Sequence, residues 1–395
     1  MSALHLGLIG PAPPPNGGMA MQTEQLARLL REEGLQVTQV ATNAPYRPAW
    51  VAHVPGLRAL FRLFPYLWAV WRLAGKADVI HLMANSGWSW QLFAAPVLWL
   101  APLRRCPVIV NYRGGEAGSY FERAWRRVQP SLRRATLVVV PSGYLQAVFS
   151  EFGQATRVIP NIVDLNVFRP SSLPPTDGTP FTLVITRNLE PIYGIGTALR
   201  ALAETLTSMP RTRLRIAGSG PQEGELRNQA SVLGISHAVE FTGRLDRPGI
   251  VDLYATADAM LNPTTVDNMP NSVIEALACG VPVISTAVGG VPYIVRHEET
   301  ALLVAANEPA AMAAAICRLQ EDAVLRTALR RQGLAEVAQY AWPQVRAQWL
   351  AAYAEVAGKK RVEAAGACIN SWWLTCSSRC TRSSRGMTRS LCIAR

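Results

Sequence analysis

Two carboxylates flank the start of a predicted helix in the segment 263–283. Asp267 stands in a polar loop that follows a strand pattern, and the helix that opens at Asn271 and Ser272 carries Glu275. The free N–H groups of a helix start favour an anion such as a diphosphate. Because carboxylates beside an anion site are unfavourable unless they bind hydroxyl groups, the segment predicts a ligand that joins a diphosphate to polyols, such as a sugar and a ribose.

Two glycine-containing loops also lie between a predicted strand and a predicted helix. One holds Gly17 and Gly18, and the other holds Gly218 and Ser219. Glycines let backbone N–H groups approach an anion closely at a helix N-terminus, where the helix dipole favours negative charge. Neither loop matches a complete phosphate-binding fingerprint, so a tight turn and a nucleotide-lining loop are both open readings of each.

The elements that must position these residues alternate between short apolar strands and helical patterns, as in parallel α/β sheets. A stretch rich in Pro, Ser and Thr, 169–180, interrupts this alternation and is the predicted linker. We predict two doubly wound, Rossmann-like domains, with their ligand in the crevice between them at the carboxyl ends of the strands. The strand patterns cover residues 4–9, 36–41, 79–83, 108–112, 137–141, 156–160, 181–186, 214–217, 239–242, 259–263, 281–286 and 301–304.

Charge is distributed unevenly along the 395 residues. The chain has 39 Lys and Arg against 27 Asp and Glu, a net charge of +12, and 49% hydrophobic residues, which excludes a disordered or coiled-coil protein. Residues 1–175 carry a net +9, residues 176–358 a net −4, and residues 359–395 a net +7. No nucleic-acid recognition motif accompanies the positive charge, so we expect no nucleic-acid partner.

Cysteine usage favours a reducing compartment. Cys106, Cys279 and Cys317 form no Cys-x-x-Cys pair, and each stands in an apolar stretch. Cys376 and Cys380 lack a histidine or a second cysteine pair at zinc-site spacing, so we expect no metal. The first residues lead directly into a strand pattern without a basic leader, which predicts a cytoplasmic protein without a targeting signal.

A helical pattern in the first half of the chain combines aromatic and basic side chains. Its apolar residues are Leu57, Leu60, Phe61, Phe64, Leu67, Trp68 and Trp71, with Arg58, Arg62, Arg72 and Lys76 along one flank. At ~100° per residue the apolar side chains share one face. Two readings are open: a helix packed on the core with solvated cations, or a helix in the interface of an anionic membrane.

Taken in order, the motifs resemble those of the retaining, two-domain nucleotide-sugar glycosyltransferases of group 1 / family 4 type, which carry a GT-B fold. Asp267 and Glu275 stand eight positions apart, as the two acids of the family's E-x7-E region do. The resemblance spans about residues 4–357 and includes the segments 78–81, 160–164, 189–194, 218–221, 239–243, 275–286 and 288–292.

This resemblance implies a fold and a reaction. It implies a GT-B fold with an acceptor-side domain at 1–172, a nucleotide-sugar-binding domain at 173–340, a helix at 341–357 that returns to the first domain, and a basic, disordered tail at 358–395. A sugar would pass from a nucleoside diphosphate to an acceptor hydroxyl with retention and without metal or cofactor. The catalytic residues would be Asp267, which holds hydroxyls of the donor sugar, Glu275, which binds the ribose, and Arg187, which stands in for the family's cation clamp. The glycine loop at 17–18 and the helix start at 271–272 would carry the diphosphate. Further donor-binding positions are Gly17, Gly18, Asn188, Tyr193, Gly218, Ser219, Asn268, Met269, Pro270, Asn271 and Ser272.

The chain departs from the family pattern at several of these positions. Asp267 replaces a glutamate, and Met269 and Pro270 replace an aromatic residue and a glycine. Tyr193 stands where the family has the lysine of its cation pair, and Asn188 stands at the arginine position, with Arg187 one residue before it. The family's N-terminal histidine has three candidate substitutes on the acceptor side, which are His81, Arg113 and Glu116.

We therefore expect a glycosyltransferase of cell-envelope polysaccharide or glycolipid synthesis. Its partners would be a nucleoside-diphosphate sugar, a glycan or lipid-linked acceptor, and an anionic membrane surface at the inner face. Two alternatives share the fold: a nucleotide-sugar 2-epimerase, and a catalytically silent nucleotide-sugar-binding protein, the latter made plausible by Tyr193. The tail beyond Gly358 resembles no family element, and we expect its removal to leave folding and activity intact.

Overall fold

Two sheets of six parallel strands, each flanked by helices, form two Rossmann-like domains, and this confirms the predicted fold class. The computed structural model describes residues 4–14, 17–45, 54, 57–171 and 180–358. The tail at 359–395 and the linker residues 172–179 lie outside the described residues.

The first sheet has the strand order β2-β1-β3-β4-β5-β6, which reverses beside β1. Strand β3 is buried along its whole length, as expected for a parallel strand covered by helices on both faces. Such strands read as short, continuous apolar runs, which is why the sequence located them. Their bounds are β1 His5–Gly10, β2 Gln36–Ala41, β3 Val79–Ala84, β4 Val108–Tyr112, β5 Leu137–Val140 and β6 Arg157–Val158.

Among the described residues, five α-helices and one π-helix connect these strands. Helix α1 starts at Gly18, directly after the Gly17 N-cap, and buries Leu26, Ala27 and Leu30 against the sheet. The glycine loop therefore lies at a strand-to-helix junction at the carboxyl edge of the sheet. The helices are α1 Gly18–Glu32, α2 Leu57–Ala74, α3 Ala95–Leu103, α4 Ala117–Leu132 and α5 Gly143–Glu151, with the π-helix at Trp90–Ala94 before α3.

The second sheet has the order β12-β11-β10-β7-β8-β9, so that β7 and β10 lie at its centre. The loops that follow these two strands therefore meet at one edge, where α9 also begins. The strands are β7 Thr182–Thr186, β8 Arg213–Ala217, β9 Val239–Gly243, β10 Ala259–Asn262, β11 Val283–Thr286 and β12 Leu302–Val304. The helices are α6 Ile195–Ser208, α7 Glu223–Val232, α8 Arg247–Ala255, α9 Asn271–Ala278, α10 Pro309–Glu321 and α11 Ala323–Val337.

A last helix, α12, covers residues 342–358 and packs on the first domain. Its side chains Val345, Trp349 and Tyr353 share one buried cluster with Leu6 and Ile109 of the first sheet. The chain reaches this position beside the bridge that pairs Val163 with Ala341. The final helix is thus part of the first domain's core, although it follows the second domain in sequence.

Helix α2 does not turn one uniform aromatic face to the core. Tyr66, Val70 and Leu73 are buried, whereas Phe64 and Trp68 are 64% and 63% exposed. Of the two open readings, the helix packed on the core therefore does not hold for Phe64 and Trp68. The side chains of residues 57–60 lie outside the description. None of the helices in the described ranges has the length and hydropathy required to cross a membrane.

Candidate active-site cleft

A cleft of about 480 Å³ lies between the two sheets and is lined by both domains. It brings together residues that are up to 258 positions apart in sequence, from Gly17 to Glu275. Two predicted residues do not line it: Ser219, which follows Gly218 in the second domain, and His81. The predicted residues that do are Gly17, Gly18, Arg113, Glu116, Arg187, Asn188, Tyr193, Gly218, Asp267, Asn268, Met269, Pro270, Asn271, Ser272 and Glu275.

Arg187 and Asp267 form an ion pair at the carboxyl edge of the second sheet. Arg187 follows β7 and also donates from Nε and Nη2 to Oδ1 of Asn262, at 3.1 and 2.9 Å. Asn262, the buried last residue of β10, is fixed in turn by its 2.9 Å bond to Ser285. The guanidinium is thus held firmly beside Asp267 in the cleft, whereas Asn188 donates to Glu190 at 3.2 Å.

Tyr193, at the family's lysine position, packs on this pair. The Cζ atom of Arg187 lies 5.0 Å from the centre of the Tyr193 ring, within the range of a cation–π contact. Burial raises the pKa of the Tyr193 phenol above its usual value. The side chain therefore contributes an aromatic face and a neutral hydroxyl to the cleft, and no positive charge.

The loop that carries Asp267 is braced by two glycines whose role the sequence did not reveal. A Cβ atom at Gly289 would collide with the carbonyl oxygen of Asp267, and one at Gly290 with that of Asn268. Gly289 also has φ +52°, in the left-handed region that favours glycine. The N–H of Gly290 donates to Asp267 O at 3.0 Å. This close backbone packing fixes the position of the carboxylate.

Helix α9 begins at the cleft with unsatisfied donors. Its N-cap is Pro270, which provides no side-chain cap, and the Ser272 hydroxyl is buried without a hydrogen-bond partner among the described residues. Gly18 of the first domain faces this helix start, since its carbonyl oxygen accepts a hydrogen bond from the side-chain Nδ2 of Asn271 at 3.4 Å. A buried hydroxyl and free N–H groups at one helix start make an anion site there chemically favourable.

Glu275 lies one turn further along α9, at the base of the cleft. Its pKa is raised to about 7, because burial disfavours the ionised carboxylate more than Arg247 and Arg187 stabilise it. Near neutral pH the carboxyl group can therefore change its charge in response to a ligand. Arg247 also pairs with Asp164 at 3.4 Å and lies 5.4 Å from the ring of Phe168.

Two further glycines allow the loop at 218–220 to pack closely on neighbouring backbone. A Cβ atom at Gly218 would collide with the carbonyl oxygen of Arg187, and one at Gly220 with that of Leu189. The loop is thus a tight turn that packs on the backbone beside Arg187, with Gly218 in the lining of the cleft. The hydroxyl of Ser219 accepts from Arg244 at 3.1 Å.

His81 is a core residue, and its assignment as an acceptor-side candidate is wrong. It lies in the middle of β3, fully buried, with Nδ1 2.7 Å from the Tyr353 hydroxyl and Nε2 3.1 Å from Nδ2 of Asn111. Burial and the charge of Arg113 lower its pKa to about 3, so it is neutral at physiological pH. A strand pattern cannot show which strand residues another element covers, and here α12 covers His81.

Arg113 and Glu116, in contrast, do line the cleft. Arg113 follows β4, and its guanidinium donates to Oδ1 of Asn161. Asn161 in turn donates through Nδ2 to the carbonyl oxygen of Met269 at 3.0 Å and to Oδ1 of Asn271 at 2.7 Å. Asn161 therefore joins the two domains across the cleft. Its segment belonged to the family-like motifs, yet nothing in its sequence indicated this bridging position.

In the part of the chain that the structure describes, no three His, Cys, Asp or Glu side chains lie close enough together to hold a metal ion. The polar groups of the cleft include the paired Arg187, the start of α9, the Glu275 carboxyl group and Arg113 from the opposite domain, and further charged side chains line it at Glu116, Asp164, Arg244, Asp246 and Arg247. This set can bind an anion that is linked to hydroxylated groups.

Two family models match the chain, one for each domain. Residues 16–167 match the model described as Glycosyltransferase Family 4, and residues 180–322 match the model described as Glycosyl transferases group 1. A D-inositol 3-phosphate glycosyltransferase of Acidothermus cellulolyticus is 32% identical over 225 residues, which are 53% of this chain and 50% of that protein. The chain spans half or less of the length of the curated relatives that are 32% or 33% identical to it.

More distant relatives match over most of their length. A phosphatidyl-myo-inositol mannosyltransferase of Mycobacterium leprae is 26% identical, with 86% of this chain and 94% of that protein covered. The sucrose-phosphate synthase of Thermosynechococcus elongatus has a TM-score of 0.72 and 22% identity, over 89% of this chain and 98% of the other. Anabaena Alr3699/HepE, solved in complex with UDP, has a TM-score of 0.71 and 21% identity, over 89% and 100%. One glycosyltransferase family model on each domain places the chain in the group 1 glycosyltransferases, and the solved structures share its two-domain GT-B fold.

Proposed function

We propose that this protein is a retaining glycosyltransferase that moves a sugar from a nucleoside-diphosphate sugar to an acceptor hydroxyl without a metal ion. One observation carries the proposal: a carboxylate braced against an arginine, an uncapped helix start with a free buried hydroxyl, and a second carboxyl group line one cleft between the domains. The relatives support the substrate class, since HepE was solved with UDP and with UDP-glucose.

The groups of the cleft fit the successive parts of such a donor. The diphosphate would lie against the N–H groups of α9 and the Ser272 hydroxyl, where the helix dipole favours negative charge. Asp267 would accept hydrogen bonds from sugar hydroxyls. Glu275, one turn deeper, would ionise and accept hydrogen bonds from the ribose.

The proposed reaction breaks one bond, forms one bond and transfers one proton, all between the donor and the acceptor. The bond between the anomeric carbon and the β-phosphate oxygen breaks, and its electron pair leaves with the diphosphate. The acceptor oxygen forms the new bond to the anomeric carbon on the same face, and its proton passes to an oxygen of the departing diphosphate. Donors already oriented towards the leaving group stabilise the transition state at little reorganisation cost.

The acceptor side of the proposal rests on an exposed aromatic surface of the first domain. We define this aromatic surface by Phe61, Phe64, Trp68, Trp88, Leu92, Trp99 and Leu103, each at least 36% exposed. Trp88 stands two residues after Ser86, which lines the cleft, so the surface adjoins the site. Exposed tryptophan and phenylalanine side chains are typical of the interfacial region of a bilayer.

Charge around the aromatic surface is almost all positive. Between residues 57 and 115 the sequence has a single acidic residue, Asp78. Arg134 stacks on Trp99 at 3.6 Å and Arg104 on Trp71 at 4.7 Å, so cations and aromatic rings are interleaved. Each cation near an anionic membrane contributes about 1 kcal/mol of binding. We infer that the acceptor is a lipid-linked or envelope glycan met at the inner face of a membrane.

A panel of nucleotide sugars tests the transferase reaction. The wild type and Glu275→Ala are each assayed with UDP-, GDP- and ADP-sugars for donor hydrolysis and for transfer to a lipid extract, and the anomeric configuration of any product is read by NMR. Retention with one donor supports the proposal. Release of an epimerised nucleotide sugar supports the 2-epimerase, and binding without turnover supports the silent binder.

Flotation with vesicles tests the membrane side separately. We expect the wild type to float with vesicles that contain phosphatidylglycerol, and a Trp68→Ser and Trp99→Ser double variant to remain in solution. Val324→Ser is the matched control, because Val324 is 80% exposed but lies in the second domain. Equal flotation of all three proteins would contradict the membrane role of the aromatic surface and leave the transferase proposal standing.

A further inference from the structure

Among the described residues, three arginines of the second domain line the cleft, and each already has a partner: Arg187 pairs with Asp267, Arg247 pairs with Asp164, and Arg244 donates to Ser219. Arg187 is engaged by Asp267 and Asn262, and Tyr193 adds no charge. A departing diphosphate gains negative charge as its bond to the sugar breaks, so further positive charge beside the start of α9 would stabilise the transition state. This reasoning rests on the proposed function.

Arg113 of the first domain differs from Arg187 because no carboxylate of the described residues pairs with it. Its backbone is fixed between two strand ends, since its N–H donates to Ala84 O at 2.9 Å. Its guanidinium makes a side-chain hydrogen bond to the neutral Asn161, and among the described residues no carboxylate pairs with it. Burial lowers its pKa to about 10, so it remains charged at neutral pH. A half-buried arginine without a counterion binds favourably to a ligand that provides the missing charge.

The contacts around Arg113 place it between two parts of the donor site. Through Asn161 it connects to Asn271, the first residue of α9. Two residues after it, Gly115 packs on the Asp267–Asn268 backbone, where a Cβ atom would lie 3.7 Å from the nitrogen of Asn268. The guanidinium thus lies near the helix start and beside the loop of the carboxylate that holds the sugar.

We propose that Arg113 binds the β-phosphate of the nucleoside-diphosphate donor and replaces, from the opposite domain, the lysine that Tyr193 has displaced. The β-phosphate is the phosphate bonded to the sugar, and it lies where the helix start and the sugar subsite meet. The planar guanidinium offers five N–H donors, and two can engage phosphate oxygens together. Because Arg113 and α9 belong to different domains, the phosphate completes its ligand set only while the two domains are in contact.

Nucleotide binding tests this assignment. Affinities of the wild type for UDP, GDP and ADP and for the matching monophosphates are measured by titration calorimetry, and the tightest diphosphate is kept. We expect Arg113→Met to weaken that diphosphate at least tenfold and its monophosphate less than twofold. Arg113→Lys, which keeps a charge but not the planar fork, should recover part of the loss. The control Arg126→Gln removes an exposed charge from α4 of the same domain and should change neither affinity.

The possible outcomes are distinct. Unchanged diphosphate affinity in Arg113→Met overturns the inference, and so does an equal loss of monophosphate and diphosphate, which would show a purely structural role. If Arg113→Met impaired only the turnover of an anionic acceptor or an anionic donor sugar, Arg113 would bind that anion and not the β-phosphate. This result would also overturn the inference. A wild type that binds no nucleoside diphosphate overturns the proposed function itself. Monophosphate binding within twofold of wild type shows that the variant is folded.

Discussion

The two walls of the cleft carry their charges in different ways. On the second-domain wall, Arg187 and Asp267 neutralise each other within one domain, and the carboxylate loop is braced by Gly289 and Gly290. On the first-domain wall, Arg113 has no carboxylate partner among the described residues, and its neutral partner Asn161 connects it to the other domain. The ion pair of the second-domain wall is complete within one domain, whereas Arg113 on the other wall depends on contact across the cleft.

This difference separates two tasks. A wall whose charges are compensated can keep its geometry when the donor is absent, which suits the precise placement of a sugar. A wall with an uncompensated cation gains most when an anion arrives, which suits the binding of a leaving group. The aromatic surface and Arg113 both belong to the first domain. In the proposed function, the domain that adjoins the membrane is therefore also the one whose unpaired cation meets the ligand.

The largest expected effect comes from removing the carboxylate of the Arg187–Asp267 ion pair on the second-domain wall. Asp267→Asn removes the negative charge while keeping the size of the side chain. We expect turnover to fall about a thousandfold, or about 4 kcal/mol in the barrier, because hydrogen bonds to sugar hydroxyls strengthen in the transition state. Nucleoside-diphosphate affinity should rise several-fold, since Arg187 is released towards the phosphate. Steady-state rates and calorimetry measure the two effects.

Asp246→Asn provides the matched control for that substitution. Asp246 also lines the cleft, but its carboxylate caps α8 by accepting from the N–H of Gly249 at 3.0 Å. We expect a change of less than tenfold in turnover. If Asp267→Asn weakened nucleotide binding and turnover equally, the pair with Arg187 would be a structural brace and the compensated wall would lack its proposed role.

A second prediction concerns the pH dependence of the same wall. The pKa of Glu275 is about 7 in the folded protein against 4.5 as its usual value. Below pH 4.5 the group is protonated whether the chain is folded or unfolded and has no effect. Between pH 4.5 and pH 7 the unfolded state ionises while the folded state stays protonated, which lowers stability progressively by up to about 3 kcal/mol, and the loss is complete above pH 7. Glu275→Gln should therefore be more stable than wild type at pH 8 and nearly equal at pH 4, as measured by thermal unfolding without ligand.

Ligand binding should show the opposite pH dependence from stability. In the proposed function ionised Glu275 accepts hydrogen bonds from ribose hydroxyls, so the nucleoside-diphosphate affinity of the wild type is expected to increase from pH 6 to pH 8. Glu275→Gln should show a flat profile over the same range. A wild-type affinity that falls with pH, or an identical slope in the variant, would show that Glu275 does not titrate at the ligand.

The second-domain wall was largely predictable from sequence for a physical reason. Its parts lie in one segment in which a strand, a polar loop and a helix start follow each other, so the spacing of Asp267 and Glu275 is set by local structure. The pairing of Arg187 with Asp267 also follows from topology, because β7 and β10 are neighbours in the sheet. The bracing by Gly289 and Gly290 was not predictable, since it depends on how closely two loops approach.

The first-domain wall was predictable only in part. The glycine loop and Arg113 follow strands, and this placed them at the correct edge of the sheet. Asn161, however, lies 48 positions from Arg113 and 110 from Asn271, and the three side chains meet only after both domains have formed. The sequence left both a core-packed and a membrane-facing reading of Phe64 and Trp68 open, because helical spacing shows which residues share a face and not what covers that face.

A third prediction concerns Asn161, which connects the two walls of the cleft. Asn161→Ala leaves the Arg113 guanidinium and the carbonyl oxygen of Met269 without their partner in a buried environment, at a cost of about 2 kcal/mol. We expect the thermal midpoint to fall by several degrees and added nucleoside diphosphate to restore part of the loss. Asn166→Ala is the matched control, because Asn166 is exposed in the same connecting segment. An unchanged midpoint would mean that the first-domain wall does not depend on this contact.

The smallest effect is expected behind the first-domain wall, where α12 covers His81. The Tyr353 hydroxyl is fully buried and lies 2.7 Å from Nδ1 of His81, so Tyr353→Phe leaves one ring nitrogen unpaired and costs about 1 kcal/mol. Turnover and nucleotide affinity should not change, because neither side chain lines the cleft. Tyr293→Phe, at a tyrosine that is 56% exposed, should alter neither stability nor activity. A tenfold loss of turnover in Tyr353→Phe at wild-type stability would instead connect His81 to the reaction, and the uncompensated wall would then extend beneath the surface of the cleft.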